Sequence, residues 1–166
     1  MNENELRILK AMVAKHEERL SLLEKQLVQP KSLNVVTTYA DSWKNLSTKI
    51  GAPEEKIKEV FHLEGEQLVV TKVEAKDDKE KTQNICLLAL LGYKYLLLKD
   101  EVKTGELRRN VAENGVRLEN FATYIGELIP SKIYRKGKPK SNQLSYKLVL
   151  SGEVYAKGLL KSLISK

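Results

Sequence analysis

A single cysteine, Cys86, and two histidines, His16 and His62, are the only thiol and imidazole side chains in the sequence. One cysteine cannot close an internal disulfide. Cys86 lies within the run Ile85-Cys86-Leu87-Leu88-Ala89-Leu90-Leu91, where it reads as a small buried apolar residue. The histidines are far apart, and His62 has no other His or Cys near it, so no metal site is expected. The sequence also lacks a phosphate-binding glycine loop, a cysteine cluster and paired carboxylates placed to shift one another's pKa. An enzyme is therefore not expected, and no catalytic residue or cofactor is assigned. The longest apolar run, Ile85 to Leu98, falls short of the roughly 20 residues of a membrane span and contains Lys94, so it reads as a buried helix.

Charge is present in quantity and unevenly spread. The formal net charge is +7, and residues 83–166 hold fifteen Lys and Arg against seven Asp and Glu, whereas residues 1–30 carry five of each. Residues 31–82 carry nine against ten. The whole excess of positive charge thus sits in the C-terminal half, which is where a polyanion would be held.

From Leu6 the pattern Leu6, Leu9, Val13, His16, Leu20, Leu23, Leu27 alternates steps of three and four. This is a coiled-coil seam over about three heptads, with His16 as its one polar member. With Leu6 at position a, Glu5 faces Lys10 and Arg19 faces Glu24 across a parallel two-stranded coil. A homodimer joined through residues 1–30 is expected. The alternative is one amphipathic helix packed on its own domain, which Ile8 and Leu22 off the seam would suit.

Pro30 closes that helix, and residues 31–75 read as a compact unit. Trp43, Leu46 and Ile50 mark one helix, Gly51-Ala52-Pro53 a turn, and Ile57, Val60 and Phe61 a second helix. Phe61 to Leu63 and Gln67 to Val73, separated by Glu64-Gly65-Glu66, suggest a short hairpin. Glu54, Glu55, Glu64 and Glu66 would repel phosphates, so this unit is expected to be a degenerate helix-turn-helix that packs, dimerises or docks a protein partner. Residues 74–82 (EAKDDKEKT) form a linker or the solvated start of the following helix, Gln83 to Lys99.

In residues 76–166 the apolar beats Leu107 and Val111 precede Gly115, and Val116, Phe121, Ile125 and Leu128 follow it. Gly115, with Asn114 before it, suits a sharp turn between two helices, and Thr104 can cap the first. Ile129-Pro130 ends the second helix. Lys132 to Arg135 and Leu144 to Leu150 read as strands of a basic hairpin. A last helix opens at Ser151-Gly152, with Ser151 as N-cap and Ala156, Leu159, Leu160, Leu163 and Ile164 on its apolar face.

The order helix, turn, helix, hairpin, helix, carried by Glu106 to Val116, by Phe121, Ile125 and Leu128, and by Tyr146 to Gly152, resembles the winged helix-turn-helix DNA-binding domains of small prokaryotic or archaeal regulators of the MarR and PadR types. The resemblance covers about half the chain, from Ile85 to Ile164. It implies a winged helix-turn-helix in that half; together with the units read above, the expected fold is mainly α with small β-hairpin wings, a tandem of helix-turn-helix units behind the coiled-coil helix. The resemblance further implies a recognition helix in the DNA major groove, read through Arg117, Leu118, Glu119, Asn120, Ala122 and Thr123. The wing and phosphate contacts would come from Lys132, Arg135, Lys136, Lys138, Lys140 and Asn142, with Arg108 and Arg109 on the preceding helix.

The expected protein is a dimeric binder of double-stranded DNA, a transcription regulator or an architectural protein. Two-fold symmetry would then place half-sites about 34 Å apart or a multiple of that. The N-terminal stretch carries acids and no apolar signal-peptide core, so a cytoplasmic, nucleoid-associated location without a membrane partner is expected. The rival reading is a tandem winged-helix scaffold that docks proteins, resembling modules of chromosome segregation or replication.

Overall fold

The computed structural model describes residues 32–138 and 143–165, with side chains from Asp41 onward. The seam residues Leu6, Leu9, Val13, His16, Leu20, Leu23 and Leu27 lie outside the described residues, as do Lys140 and Asn142 of the hairpin loop. The chain divides into a unit of residues 1–37 and a unit of residues 38–166; the elements below belong to the second, apart from the start of the first helix.

That unit is mixed α and β. Helix α1 (Ser32–Ile50) ends where Gly51 takes φ +73°, and the Ser47 carbonyl and hydroxyl tie down the turn through Gly51 N–H and Ala52 O, both at 2.7 Å. Glycine is the residue that enters this left-handed region without steric cost. Pro53 then opens the short helix α2 (Glu54–Lys58), in which only Ile57 is buried. Phe61, which the sequence offers both to the end of that helix and to the hairpin run, starts β1 (Phe61–Glu64). Gly65-Glu66 turns the chain back into β2 (Gln67–Val70), with Phe61 opposite Val70 and Glu64 opposite Gln67.

The charged stretch 74–82 is in part a helix start, because Asp77 accepts the Glu80 N–H at 2.7 Å while Glu80 accepts the Lys76 N–H at 2.8 Å. This reciprocal pair satisfies two of the donors that a helix leaves open at its N-terminus. Helix α3 (Asp78–Leu96) follows and is buried almost continuously from Asn84 to Tyr93. It packs on β2 and on the later segments 104–113, 121–126, 145–148 and 150–164, which explains why its apolar residues encircle it instead of forming a stripe. Gly92 permits a close approach to β2: a Cβ there would lie 2.5 Å from Leu68 Cδ1.

A strand that the sequence did not announce, β3 (Val102–Lys103), leads into α4 (Thr104–Glu113). Thr104 does not cap this helix. Its hydroxyl donates to the Leu144 carbonyl at 2.9 Å, and the Glu106 carboxylate accepts the Lys103 N–H at 3.0 Å. Helix α5 (Phe121–Gly126), β4 (Ile133–Lys136), β5 (Ser145–Leu148) and α6 (Leu150–Ile164) complete the chain. The second sheet is antiparallel in the order β3-β5-β4. Helix α6 begins one residue before Ser151, whose hydroxyl donates to the Ser131 carbonyl and so anchors the helix laterally instead of capping it.

The sequence reading places a boundary between residues 75 and 76. The buried residues on both sides of it form one cluster, from Leu46, Ile57, Phe61 and Leu68 through Leu87, Leu107 and Phe121 to Leu160. Asn110, itself 1% exposed, joins the two sides by hydrogen-bonding the backbone of β2. Among the described residues no helix is long and apolar enough to cross a membrane.

Candidate nucleic-acid interface

Helix α4 buries Leu107, Asn110 and Val111 and leaves Arg108 and Arg109 exposed. Asn114 ends it, and Gly115 at φ +74° turns the chain. The expected second helix was drawn from Val116 onward, but α5 starts at Phe121, so Arg117, Leu118, Glu119 and Asn120 form the turn before it. The reason is geometric. Val116 and Phe121 are both buried, yet five residues of α-helix would rotate one about 140° from the other. The chain must bend between them, and the Leu118 carbonyl takes the Phe121 N–H at 3.2 Å as it does so.

The outward surface is the one expected for base contacts. Arg117, Glu119, Asn120, Ala122 and Thr123 are exposed and Leu118 is half-buried, while Phe121 and Ile125 turn inward. Arg108 is drawn to this segment, its guanidinium carbon 5.4 Å from the centre of the Phe121 ring. Asn120 donates to the Tyr124 hydroxyl at 3.3 Å. Five residues of α5 and the preceding turn thus present one guanidinium, one amide, one carboxylate and two small side chains to solvent.

The basic hairpin is less uniform than its sequence. Lys132 is half-buried, with Nζ 3.5 Å from the centre of the Tyr155 ring of α6, and so helps to hold the hairpin on that helix. Lys136 pairs with Glu101, its Nζ 2.9 and 3.1 Å from the two carboxylate oxygens. That contact raises the lysine above its ordinary pKa and lowers the carboxyl below its own. Arg135 and Lys138 are exposed and make no ion pair among the described residues. Gly137 at φ +97° lets the strand ends cross closely, since a Cβ there would stand 3.0 Å from Gln143 O.

Sequence reasoning missed three polar members of this surface. Lys103 on β3 pairs with Ser145, Lys147 pairs with Tyr134, and Glu101 accepts from Lys136 and from the Ser145 hydroxyl. Their common signal is weak, because a two-residue strand has no alternation from which to be read. A further ionic cluster joins α3 to α6 and is structural. Glu153, 13% exposed, takes Lys94 and Lys157 each at 2.6 Å together with the Tyr95 hydroxyl. Burial would raise the Glu153 pKa, but the hydrogen bonds from Lys157, Lys94 and Tyr95 outweigh it and hold the value at about 2.

No family model, curated protein or solved structure matches the chain. Exposed guanidinium, ammonium and amide donors can bond phosphate oxygens and base edges. Among the described residues no group of three His, Cys, Asp or Glu side chains is placed to hold a metal ion.

Proposed function

We propose that the chain is a DNA-binding protein of the winged helix-turn-helix kind, with α4 and α5 as the motif and the β4–β5 hairpin as the wing. The succession α3, β3, α4, α5, β4, β5, with its sheet order β3-β5-β4, supports this reading of the fold. The observation that carries the function is the open surface of residues 117–123, followed in the chain by a hairpin with exposed Arg135 and Lys138. Base choice would come from Arg117 toward guanine and Asn120 toward adenine, with Ala122 meeting a thymine methyl. Arg135 and Lys138 would supply affinity along the backbone, as would Arg109 and the loop residues Lys140 and Asn142.

Dimerisation through the Leu6 to Leu27 seam would double this surface and favour a palindromic site in the cytoplasm or nucleoid. Residues 31–75, with α1, α2 and the β1–β2 hairpin, are read as a degenerate second copy. Their exposed Glu55, Glu64 and Glu66 favour a protein partner over DNA at that end. The same acidic surface is the feature on which the scaffold reading would rest.

The test is a fluorescence anisotropy titration of the full chain against a labelled random-sequence duplex from 50 to 300 mM salt. Wild type should bind with log Kd linear in log salt, and R135A/K138A should flatten that slope by up to about two units, roughly 0.9 per lost phosphate contact. Salt-insensitive or absent binding by the wild type overturns the DNA reading in favour of a scaffold.

A further inference from the structure

The register of the β3-β5-β4 sheet sorts its side chains onto two faces. Val102, Tyr146 and Ile133 are buried and face the core, with Val102 opposite Tyr146. The alternate positions, Lys103, Ser145 and Lys136 in one row and Tyr134 and Lys147 in the next, fall on the opposite face. Three lysines from three strands are thereby brought onto one small surface. A hollow at its edge is lined by Glu101, Lys103, Lys136, Gly137, Gln143 and Ser145.

Among the described residues, the only carboxylate lining that hollow is Glu101. It bridges Lys136 Nζ at 2.9 Å and the Ser145 hydroxyl at 3.4 Å, a geometry in which two carboxylate oxygens stand where two phosphate oxygens could. The pair is open to solvent, with side-chain exposures of 64% for Lys136 and 37% for Glu101. Water screens an ion pair so exposed, so exchanging its carboxylate for another anion costs little. Beside it, Lys147 Nζ lies 5.5 Å from the centre of the Tyr134 ring, which is 50% exposed. The ring holds the lysine to the outer face and keeps its charge available there.

We propose that the outer face of this sheet is a second contact surface for the nucleic-acid backbone, in which a phosphate displaces Glu101 from Lys136 and is flanked by Lys103 and Lys147. It rests on the DNA-binding reading and extends it from the hairpin tip to the sheet itself. Glu101 is then the residue that sets the strength of this contact. While it holds Lys136 it competes with phosphate, and it returns to the lysine when the nucleic acid leaves.

The experiment uses the full chain and the same labelled random duplex at 50 to 300 mM salt, comparing wild type with E101Q, K103A/K147A and R135A/K138A. E101Q should bind several-fold more tightly, with a slope steeper by up to about one unit, a gain that misfolding cannot produce. K103A/K147A should lose affinity several-fold for every sequence and flatten the slope by up to about two units, with an unchanged thermal melt. If E101Q and K103A/K147A both behave as wild type while R135A/K138A weakens binding, the sheet surface is wrong and the DNA reading stands. If the wild type does not bind, both fall together.

Discussion

Asn110 on α4 binds the backbone of β2 as a neighbouring strand would: its Oδ1 accepts the Val70 N–H at 2.8 Å and its Nδ2 donates to the Leu68 carbonyl at 2.9 Å. One turn on, Asn114 Nδ2 donates to the Val70 carbonyl at 2.8 Å. The edge of the β1–β2 hairpin is thus closed by two amide side chains of a helix, and the hairpin is fastened to the helix that precedes the candidate recognition segment. Replacing Asn110 by alanine strips a buried donor and a buried acceptor of their partners. The expected loss is about 2–3 kcal/mol in chemical denaturation. A change below about 0.5 kcal/mol would mean that water replaces the amide freely and that the clamp is incidental.

Two glycines of α6 should respond oppositely to alanine. A Cβ on Gly152 would stand 1.8 Å from the Lys132 carbonyl oxygen, and a backbone atom cannot step aside, whereas nothing lies within 4 Å of a Cβ on Gly158. Gly152→Ala should destabilise by at least about 3 kcal/mol, well beyond the ~1 kcal/mol that alanine returns in helix propensity. Gly158→Ala should stabilise by up to about 1 kcal/mol. Equal melting temperatures for the two variants would contradict the α6 packing.

Glu153 predicts a particular acid limb of the stability curve. Its folded pKa of about 2 lies below the ordinary 4.5, so the stabilisation that it provides is complete above pH ~4.5 and is lost as the pH falls toward 2. E153Q should lower stability at pH 7 by on the order of 2 kcal/mol and flatten the loss between pH 4.5 and 2, as read from urea midpoints at fixed pH. Parallel curves for wild type and variant over that range would remove Glu153 from the α3–α6 contact.

Lys132 and Lys138 belong to one basic run but should not act alike. Lys132 lies over the Tyr155 ring at 3.5 Å, and Lys138 is exposed. K132A should cost about 0.5–2 kcal/mol of stability and leave the slope of a DNA salt titration nearly unchanged. K138A should do the reverse. The comparison needs only a thermal melt and the anisotropy titration for each variant.

Much of the arrangement was written in the local chemistry of the chain. Gly51 and Gly115 mark both turns because each needs a positive φ, and the all-round apolarity of residues 85–91 marks α3 as the central helix. Pro53, the Glu64-Gly65-Glu66 turn and the apolar beats of α6 likewise act within a few residues of themselves, so their consequences can be read in one dimension. The one-sided placement of positive charge belongs to the same class.

Other features depend on what folding brings together from afar. Strand β3 has two residues and exists only because Ser145 and Tyr146 lie beside it. The start of α5 is set by the need to bury Val116 and Phe121 from different directions, a need that appears only once α3 is in place. The fates of Lys132 and Lys136 are decided by Tyr155 and Glu101, twenty-three and thirty-five residues away in the chain. Periodicity and turn residues report the backbone's own preferences, whereas which cation stays free is a matter of tertiary neighbours. A sequence states the charge of a surface, and packing decides how much of it remains to meet a partner.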